Sequence, residues 1–390
     1  MPSATAPPAL PDELVEEILL RLDDAADLAR ASAACASFRR VVTDLRFLRR
    51  FRSLHPPPVL GFLDATGRNR GFYQAQPPRR SAPAAGAFAQ AADFSFSFLP
   101  DPGRWHVCDV CDGRVLLARR VRLPYASFFV FDKLVVYDPL DRRCVEIPPI
   151  PSDLAPNAWQ REFEPFLVPV GEEEESPLRV ICNLVYKKKF VTLFFSSLDG
   201  EWRDVTCFSI ATFELMSYTT LLRRHYAHGC FYWTQYGEKV MLVLDMRDMK
   251  LSIVDLPANS KGRHKAIVEA GKDKLGLLVL NGRMLDLYIK TRQDNSVATD
   301  KWQHDNVIPL TRLPDSVWGI SCAAEGYILL RGTPRDWNCV RIFPKKNPDV
   351  LYVTVEVKTL LVQRLCVLKF EICPDYLYAR FLPPFPSPSM

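Results

Sequence analysis

The amino-acid sequence predicts an α+β protein with two domains, a small helical domain at the N-terminus and a large all-β domain after it. Helical periodicity of apolar residues is confined to residues 10–54, whereas the chain after residue 104 consists of short β-type runs separated by turn residues. A length of 390 residues also exceeds the size at which one hydrophobic core usually stops growing. We therefore expect a disordered tail over 1–9, a helical domain over 10–55 and an all-β domain over 56–390.

The composition is that of a globular protein, with 48% hydrophobic and 24% charged residues. The net charge is +5, and the basic residues lie in short runs that are far apart, which does not favour a nucleic-acid-binding protein. No apolar segment reaches the length that spans a bilayer, so we expect neither membrane insertion nor secretion. Eleven scattered cysteines indicate a reducing compartment, the cytosol or the nucleus.

The first predicted helix starts at the LPDEL sequence. Leu14, Ile18 and Leu22 recur at four-residue steps beside Val15 and Leu19, which predicts one buried apolar face. A proline such as Pro11 is tolerated in a first helical turn, where its missing N–H costs nothing. The start of this helix is therefore well defined.

Leu20 departs from this pattern. At about 100° per residue it projects between Glu16 and Glu17 on the polar side, so we expect it to be exposed. An apolar residue there indicates a contact with a partner, although a single exposed leucine without a role is a common alternative.

Further helices follow. Leu28, Ala31, Ala34, Cys35 and Phe38 have spacings of three and four residues, and the apolar pattern continues to Phe51. A unit of about fifty residues buries too little surface to be stable on its own, so we expect it to dock onto another protein or onto the rest of the chain.

Residues 67–102 form the next segment and are rich in proline, alanine, glycine and arginine. This composition predicts a long surface loop or a partly disordered, flexible insertion.

The rest of the chain predicts an irregular β-propeller of about six blades rather than a sandwich. A repeat supports this prediction, because the segments Val135–Pro149 and Val243–Pro257 both have an apolar strand, an aspartate, a polar turn, a second apolar strand and a proline. Asp138 and Asp245 are separated by about two periods of a blade of roughly fifty residues. The predicted strands are Val59–Leu63, Arg114–Leu117, Leu134–Tyr137, Val180–Tyr186, Val191–Phe195, Val205–Ile210, Gly229–Trp233, Met241–Leu244, Leu251–Val254, Leu275–Leu280, Leu285–Ile289, Tyr327–Leu330, Val340–Phe343, Leu351–Val357 and Leu365–Phe370.

Candidate metal and catalytic motifs are weak. His106, Cys108 and Cys111 have metal-like spacing, but no second pair follows at zinc-finger distance. His225, His228 and Cys230 precede or begin a strand, where alternation points the two histidines to opposite faces. Glu172–Glu175 reads as a solvated loop. No phosphate-binding loop, nucleophile elbow or zinc-protease helix occurs, so we expect no cofactor, no metal and no catalysis.

The N-terminal sequence resembles the F-box. Its order and spacing match at Leu10-Pro11-Asp12-Glu13-Leu14, Glu17-Ile18, Arg21-Leu22, Asp27-Leu28, Cys35 and Phe38-Arg39. Asp23 stands where most members have proline, Ala34 where valine is usual, and Phe38 where tryptophan is commonest. The remainder, including Gly61–Arg68, Leu99–Leu117 and Tyr137–Pro151, is similar to the F-box-associated β-domain of a large grass-type plant family.

This resemblance implies a non-catalytic receptor subunit of an SCF-type cullin-RING ubiquitin ligase. The F-box would bind a Skp-type adaptor, which joins it to a cullin scaffold, and the β-domain would bind the target protein. The adaptor-binding positions, some as contacts and some as supports, are Leu10, Pro11, Leu14, Ile18, Leu20, Leu28, Cys35 and Phe38. Two alternatives remain open: an F-box scaffold or regulator outside the ligase, and a carbohydrate-binding or hydrolytic propeller with an incidental helical cap.

Overall fold

The structure is a computed structural model that describes twelve stretches of the chain. They are residues 10–22, 25–64, 71–122, 129–154, 160–170, 177–186, 189–209, 222–235, 237–291, 301–335, 349–369 and 374–380. The predicted tail 1–9 and the predicted strand Val340–Phe343 lie outside the described residues. In the described stretches, no helix has both the length and the apolar character needed to cross a membrane.

Four helices form the N-terminal unit: α1 (Asp12–Leu19), α2 (Ala25–Ala34), α3 (Ala36–Val42) and α4 (Leu45–Leu54). Pro11 precedes α1 with a φ of −56°, a value close to that of a helix. The Asp44 carboxylate caps α4 by accepting the Arg46 N–H at 2.7 Å. The helices share one core, made of Val15, Leu19, Leu20, Leu28, Val41, Val42, Phe47, Leu48 and Phe51.

The β-domain follows a turn that ends before Val59. Its strands are β1 (Val59–Asp64), β2 (Phe72–Gln74), β3 (Trp105–Cys111), β4 (Arg114–Arg122), β5 (Phe129–Asp138), β6 (Arg143–Ile147), β7 (Gln160–Leu167), β8 (Arg179–Tyr186), β9 (Lys189–Ser196), β10 (Trp202–Ser209), β11 (Leu222–Ala227), β12 (Cys230–Gln235), β13 (Val240–Asp245), β14 (Lys250–Asp255), β15 (Lys265–Glu269), β16 (Lys274–Asn281), β17 (Met284–Thr291), β18 (Gln303–Pro309), β19 (Ser316–Ala324), β20 (Tyr327–Pro334), β21 (Val350–Glu356), β22 (Val362–Leu368) and β23 (Pro374–Ala379). A fifth helix, α5 (Ala82–Ala91), lies between β2 and β3.

These strands form six antiparallel sheets, which confirms the predicted six-bladed propeller. Five sheets have four consecutive strands each, starting at β3, β7, β11, β15 and β19. The sixth has the order β2-β1-β23 and therefore joins both ends of the β-domain. The first strands of these five sheets contact one another, as in the pairs β3 and β7 or β11 and β15, and β23 of the sixth sheet contacts β19 and β3. β23 and these first strands are thus the innermost strands of the six blades and surround a central channel.

The ring is closed by β23, which pairs with β1 in its own sheet and contacts β3 of the next. Arg380, directly after β23, forms a buried ion pair of 2.6 Å with Asp138 at the end of β5. Gly113 makes room for this arginine, because a Cβ at this glycine would lie 2.4 Å from Arg380 Cδ. Gly113 also has a φ of +74°, which glycine adopts without strain.

The predicted sequence repeat corresponds to a repeat of structure. Asp138 ends β5 and Asp245 ends β13, and each strand pairs with the last strand of its blade. The two carboxylates accept N–H groups of the following turn, from Leu140 at 2.9 Å and from Arg247 at 2.9 Å. The two segments thus occupy the same hairpin of two blades that lie two positions apart.

The predicted flexible insertion over 67–102 differs from the structure. Its described part, 71–102, contains β2 and α5, and Ala85, Phe88 and Phe96 are buried in the same core as β1 and β23. Its alanines are helix formers, and its aromatic residues fill the space beside a blade that has only three strands. Composition suggested a loop because it ignores these few large apolar side chains.

Candidate functional site

An exposed apolar stripe runs along α1. Leu10, Leu14 and Ile18 follow one another at four-residue steps and are 54%, 53% and 52% exposed. Their spacing places them on one side of the helix, and Pro11 beside them is exposed as well. Three large apolar side chains in a row at the surface indicate a protein-binding face.

The structure reverses the predicted roles of Leu20 and Ile18. Leu20 is only 6% exposed and belongs to the core, whereas Ile18 is at the surface. The reason lies in α4, whose Arg50 binds Glu16 at 3.0 Å and Glu17 at 2.7 Å. Glu16 and Glu17 on the charged side of α1 are therefore bound to α4 while remaining partly exposed to solvent.

Leu20 directly follows α1 and contacts the residue that follows α4. His55 Nε2, directly after α4, lies 3.0 Å from the Leu20 carbonyl oxygen. Leu20 thus supports the helical unit, and the prediction that it is exposed is wrong, whereas its predicted role in adaptor binding stays a prediction.

The other predicted adaptor-binding residues divide between core and surface. Leu28 is fully buried, and Phe38 is partly buried against the same core. Cys35 is exposed and caps α3, with its Sγ 3.4 Å from the Phe38 backbone nitrogen. Hydrogen bonds from the Ser37 hydroxyl and the Phe38 N–H lower the pKa of this thiol.

A second candidate site is a cavity of about 440 Å³ in the centre of the propeller. It is lined by the first strands of the blades and by the turns that follow them. Five carboxylates and two guanidinium groups face it, those of Asp109, Asp112, Glu164, Glu269, Glu325, Arg223 and Arg224. Sequence reasoning singled out none of these seven. The available signal was charged residues inside β-type runs, as in WHVCDVC and LRRHYA.

Arg224 occupies the inner part of the cavity and joins three blades. Its guanidinium binds Asp109 of β3 at 2.6 Å and Glu164 of β7 at 2.8 Å. It also lies over the Phe166 ring, 4.3 Å from the centroid. Trp233 Nε1 donates to Glu164 at 3.1 Å. Burial raises the pKa of Asp109, and the charge of Arg224 opposes this rise. This group holds the blades together.

Asp112 and Glu325 lie at one mouth of the cavity. The Asp112 N–H donates to Glu325 Oε1 at 3.1 Å, and Cys111 Sγ is 3.5 Å from Asp112 Oδ2. Burial, followed by repulsion from Asp112, raises the pKa of Glu325 to about 8. One ligand atom from each of Cys111, Asp112 and Glu325 lies within 4.8 Å of the other two, a spacing that suits a metal ion.

The metal motifs considered from sequence are not assembled as triads in the described residues. Cys108 Sγ lies 3.6 Å from the His106 carbonyl oxygen, and Cys111 meets Asp112 instead. His225 Nε2 lies 3.3 Å from Thr234 Oγ1, while His228 Nε2 lies 3.0 Å from the Lys274 carbonyl oxygen. Glu172–Glu175 lies outside the described residues.

Solved structures with similar backbones include TolB from Acinetobacter baumannii, 13% identical with a TM-score of 0.34, over 75% of this chain and 61% of that one. A six-bladed propeller lectin from the fungus Aleuria aurantia is 8% identical with a TM-score of 0.32, over 68% of this chain and 79% of the lectin. Among curated proteins, no sequence matches this chain.

Two family models match the sequence. One, described as F-box-like, covers residues 8–54 and therefore the four N-terminal helices. The other, described as F-box protein AT5G49610-like, beta-propeller, covers residues 106–360, from β3 to the turn after β21. The second match includes well over half of the chain, and it coincides with the blades that the structure shows. The chain therefore belongs to the AT5G49610-like family of F-box proteins with a β-propeller.

Proposed function

We propose that this chain is the target-recognition subunit of an SCF-type cullin-RING ubiquitin ligase. Its F-box binds a Skp-type adaptor and through it a cullin scaffold, and its propeller binds the protein to be ubiquitinated. The observation that carries the proposal is the exposed stripe of Leu10, Leu14 and Ile18 on the helical unit that the F-box-like model matches.

The stripe fits a helix-in-groove mode of recognition. Three leucine- and isoleucine-type side chains at four-residue steps present one apolar face to a groove on the partner. The rest of the helical unit is held rigid by its core and by ion pairs such as Asp12 with Arg40 at 2.6 Å. A rigid helix loses little conformational freedom on binding, which favours affinity.

Three further assignments belong to this proposal. Residues 10–55 and 56–390 act as separate binding units, supported by the end of α4 at Leu54 and the start of β1 at Val59. The protein works in the cytosol or the nucleus, supported by the thiols of Cys35, Cys144, Cys182 and Cys366, which form no disulfide. The plant origin implied by the sequence resemblance is likewise proposed.

The test measures adaptor binding by a full-chain variant that carries a charged residue in the stripe. We expect Ile18→Asp to weaken adaptor binding by about tenfold or more without lowering the melting temperature, because the site is exposed and the charge must be desolvated in an apolar interface. Leu198→Asp is the matched control, since Leu198 is 80% exposed in the β9–β10 turn.

Equal adaptor affinity of the native chain and the Ile18→Asp variant would refute the assignment of this face. Co-purification of the adaptor without a cullin would instead favour an F-box scaffold that acts outside the ligase.

A further inference from the structure

The propeller cavity is acidic although the chain as a whole is basic. Five carboxylates face the cavity against two guanidinium groups, whereas the net charge of the protein is +5. A concave site with low-dielectric walls concentrates the field of such an excess charge. The cavity therefore attracts cationic groups.

The carboxylates differ in their partners. Asp109 and Glu164 are both paired with Arg224. Asp112, Glu269 and Glu325 lie at the ends of first strands or in the turns that follow, and backbone N–H groups bind them: that of Val170 to Asp112 at 2.7 Å and that of His228 to Glu269 at 2.7 Å. Within the described part of the chain, no lysine or arginine forms an ion pair with these three carboxylates at 4.0 Å or less. The negative charge at this mouth of the cavity thus has no direct ion-pair partner, and the charge of Arg114 acts on Asp112 from a greater distance.

Two other side chains of the cavity suit a ligand that carries N–H donors. His225 is 2% exposed, and its Nδ1 has no hydrogen-bond partner. Burial and the charges of Arg223 and Arg224 lower the pKa of His225 to about 3, so its ring is neutral. In the tautomer whose Nε2–H donates to Thr234 Oγ1, Nδ1 is an acceptor. The rings of Tyr226 and Phe231 pack with their centroids 4.9 Å apart, and the partly exposed Tyr226 ring lines the cavity. Aromatic rings bind cations through their faces.

We infer that this cavity is the target-binding subsite of the propeller and that it takes a lysine or arginine side chain from a segment of the target protein. The inference rests on the proposed function, since it names the class of target that the propeller recognises. A volume of about 440 Å³ lies in the range of ordinary ligand pockets and accommodates one long side chain with its waters. Acidic and neutral segments lack the charge that Asp112 and Glu269 complement.

To test this, peptides from a random display library are selected for binding to the immobilised full chain. We expect the enriched peptides to share a lysine or an arginine, and replacing that residue by glutamine in the synthetic peptides should weaken binding about tenfold or more. The Asp112→Asn/Glu325→Gln double variant should lose the same affinity, whereas Asp305→Asn, a control at an exposed carboxylate of β18, should bind as the native chain does.

Three results would overturn the inference: no enrichment of peptides, enriched peptides without a basic residue, or unchanged affinity in a double variant with the native melting temperature. Adaptor binding is measured on the same preparations. A chain that binds the adaptor but shows one of these three results refutes the cavity assignment alone. A chain that binds basic peptides but not the adaptor refutes the ligase function alone.

Discussion

At the scale of single residues, α1 carries two apolar stripes, and the sequence does not say which one is buried. The pattern correctly predicts Val15 and Leu19 in the core, but it also predicts Leu14 and Ile18 there, and both are exposed. The choice is made by Arg50 of α4, which binds Glu16 and Glu17 on the acidic side of α1, next to Leu20 in the core. A helical wheel treats charged residues as solvent-facing and so cannot anticipate a face held by ion pairs within the unit.

The two residues should respond differently to truncation. We expect Leu20→Ala to lower the free energy of unfolding by roughly 2–4 kcal/mol, because it removes buried methyl groups and leaves a cavity. Ile18→Ala should cost about 0.5 kcal/mol or less, because its side chain is half exposed. Urea unfolding of the full chain, with hydrogen exchange of residues 10–55 to locate the effect, measures both. A larger loss for Ile18→Ala than for Leu20→Ala would show that the assignment of the two stripes is wrong.

Glu325 predicts a pH dependence of stability. Its pKa is about 8 in the folded protein against an ordinary value of 4.5, so between these values the folded state holds a proton that the unfolded chain has released. The stability provided by this protonated group is complete below about pH 4.5 and is lost as the pH rises toward 8. We expect Glu325→Gln, which stays neutral, to be more stable than the native chain by roughly 1–3 kcal/mol at pH 8, with the difference vanishing toward the acid end. The midpoints of urea unfolding of both proteins between about pH 4.5 and 8 test this prediction. A stability difference that does not change with pH would contradict it.

At the scale of elements, the sequence predicts the middle strands of the blades and does not predict the innermost ones. Predicted strands such as Leu275–Leu280 and Leu351–Val357 fall on β16 and β21, which are buried on both faces and therefore have continuous apolar runs. The innermost strand of each blade is absent from the predicted strands, because these strands line the channel. Asp109 in β3, Glu164 in β7 and Arg224 in β11 interrupt the apolar pattern. The residues that form the cavity are thus the ones that hide its strands from a sequence pattern.

The helix α5 illustrates the opposite error, in which an element of the core was read as a loop. Phe88 is 2% exposed and packs edge to face on Phe72 with ring centroids 5.4 Å apart. We expect Phe88→Ala to lower the free energy of unfolding by about 3–5 kcal/mol. Phe98→Ala in the same segment should cost about 1 kcal/mol, because Phe98 is 43% exposed and loses mainly its ring contact with Tyr137. Chemical unfolding measures the free energy of unfolding of both variants. If both substitutions lowered it by a similar small amount, the segment would be the loosely attached insertion that its composition predicts.

At the scale of the whole molecule, the propeller depends on strands that are more than 300 residues apart in sequence. The sixth blade places β23 beside β1, so the blade is complete only when the C-terminal strand has joined the ring. The helical unit is connected to the same structure, since Lys358 Nζ donates to the Leu54 carbonyl oxygen at 2.7 Å. The sequence predicted six blades from its length and one repeat, but it held no local signal for this closure, which is a property of the topology.

The closure is held by a buried charge pair, and its removal should be costly. Asp138 and Arg380 have side chains that are each 5% exposed, and the arginine lies where β23 ends against the first turn of the next blade. We expect Arg380→Met to lower the free energy of unfolding by about 3–5 kcal/mol, because Asp138 then remains buried and charged without its partner. Arg335→Met is the control, since Arg335 pairs with Asp315 at 3.0 Å but both side chains are 62% exposed, a pair that contributes about 1 kcal/mol or less.

A second substitution separates the charge from the loss of packing. Asp138 Oδ1 also accepts the N–H groups of Leu140 and Asp141, and asparagine can keep these bonds while carrying no charge. The double variant Asp138→Asn/Arg380→Met should therefore recover part of the stability that Arg380→Met loses, because no unpaired charge is left in the closure. Urea unfolding of the full chain followed by tryptophan fluorescence provides the three values. A double variant less stable than Arg380→Met alone would show that Arg380 acts by packing against Gly113 and the turn, and that the ion pair is not what holds the ring closed.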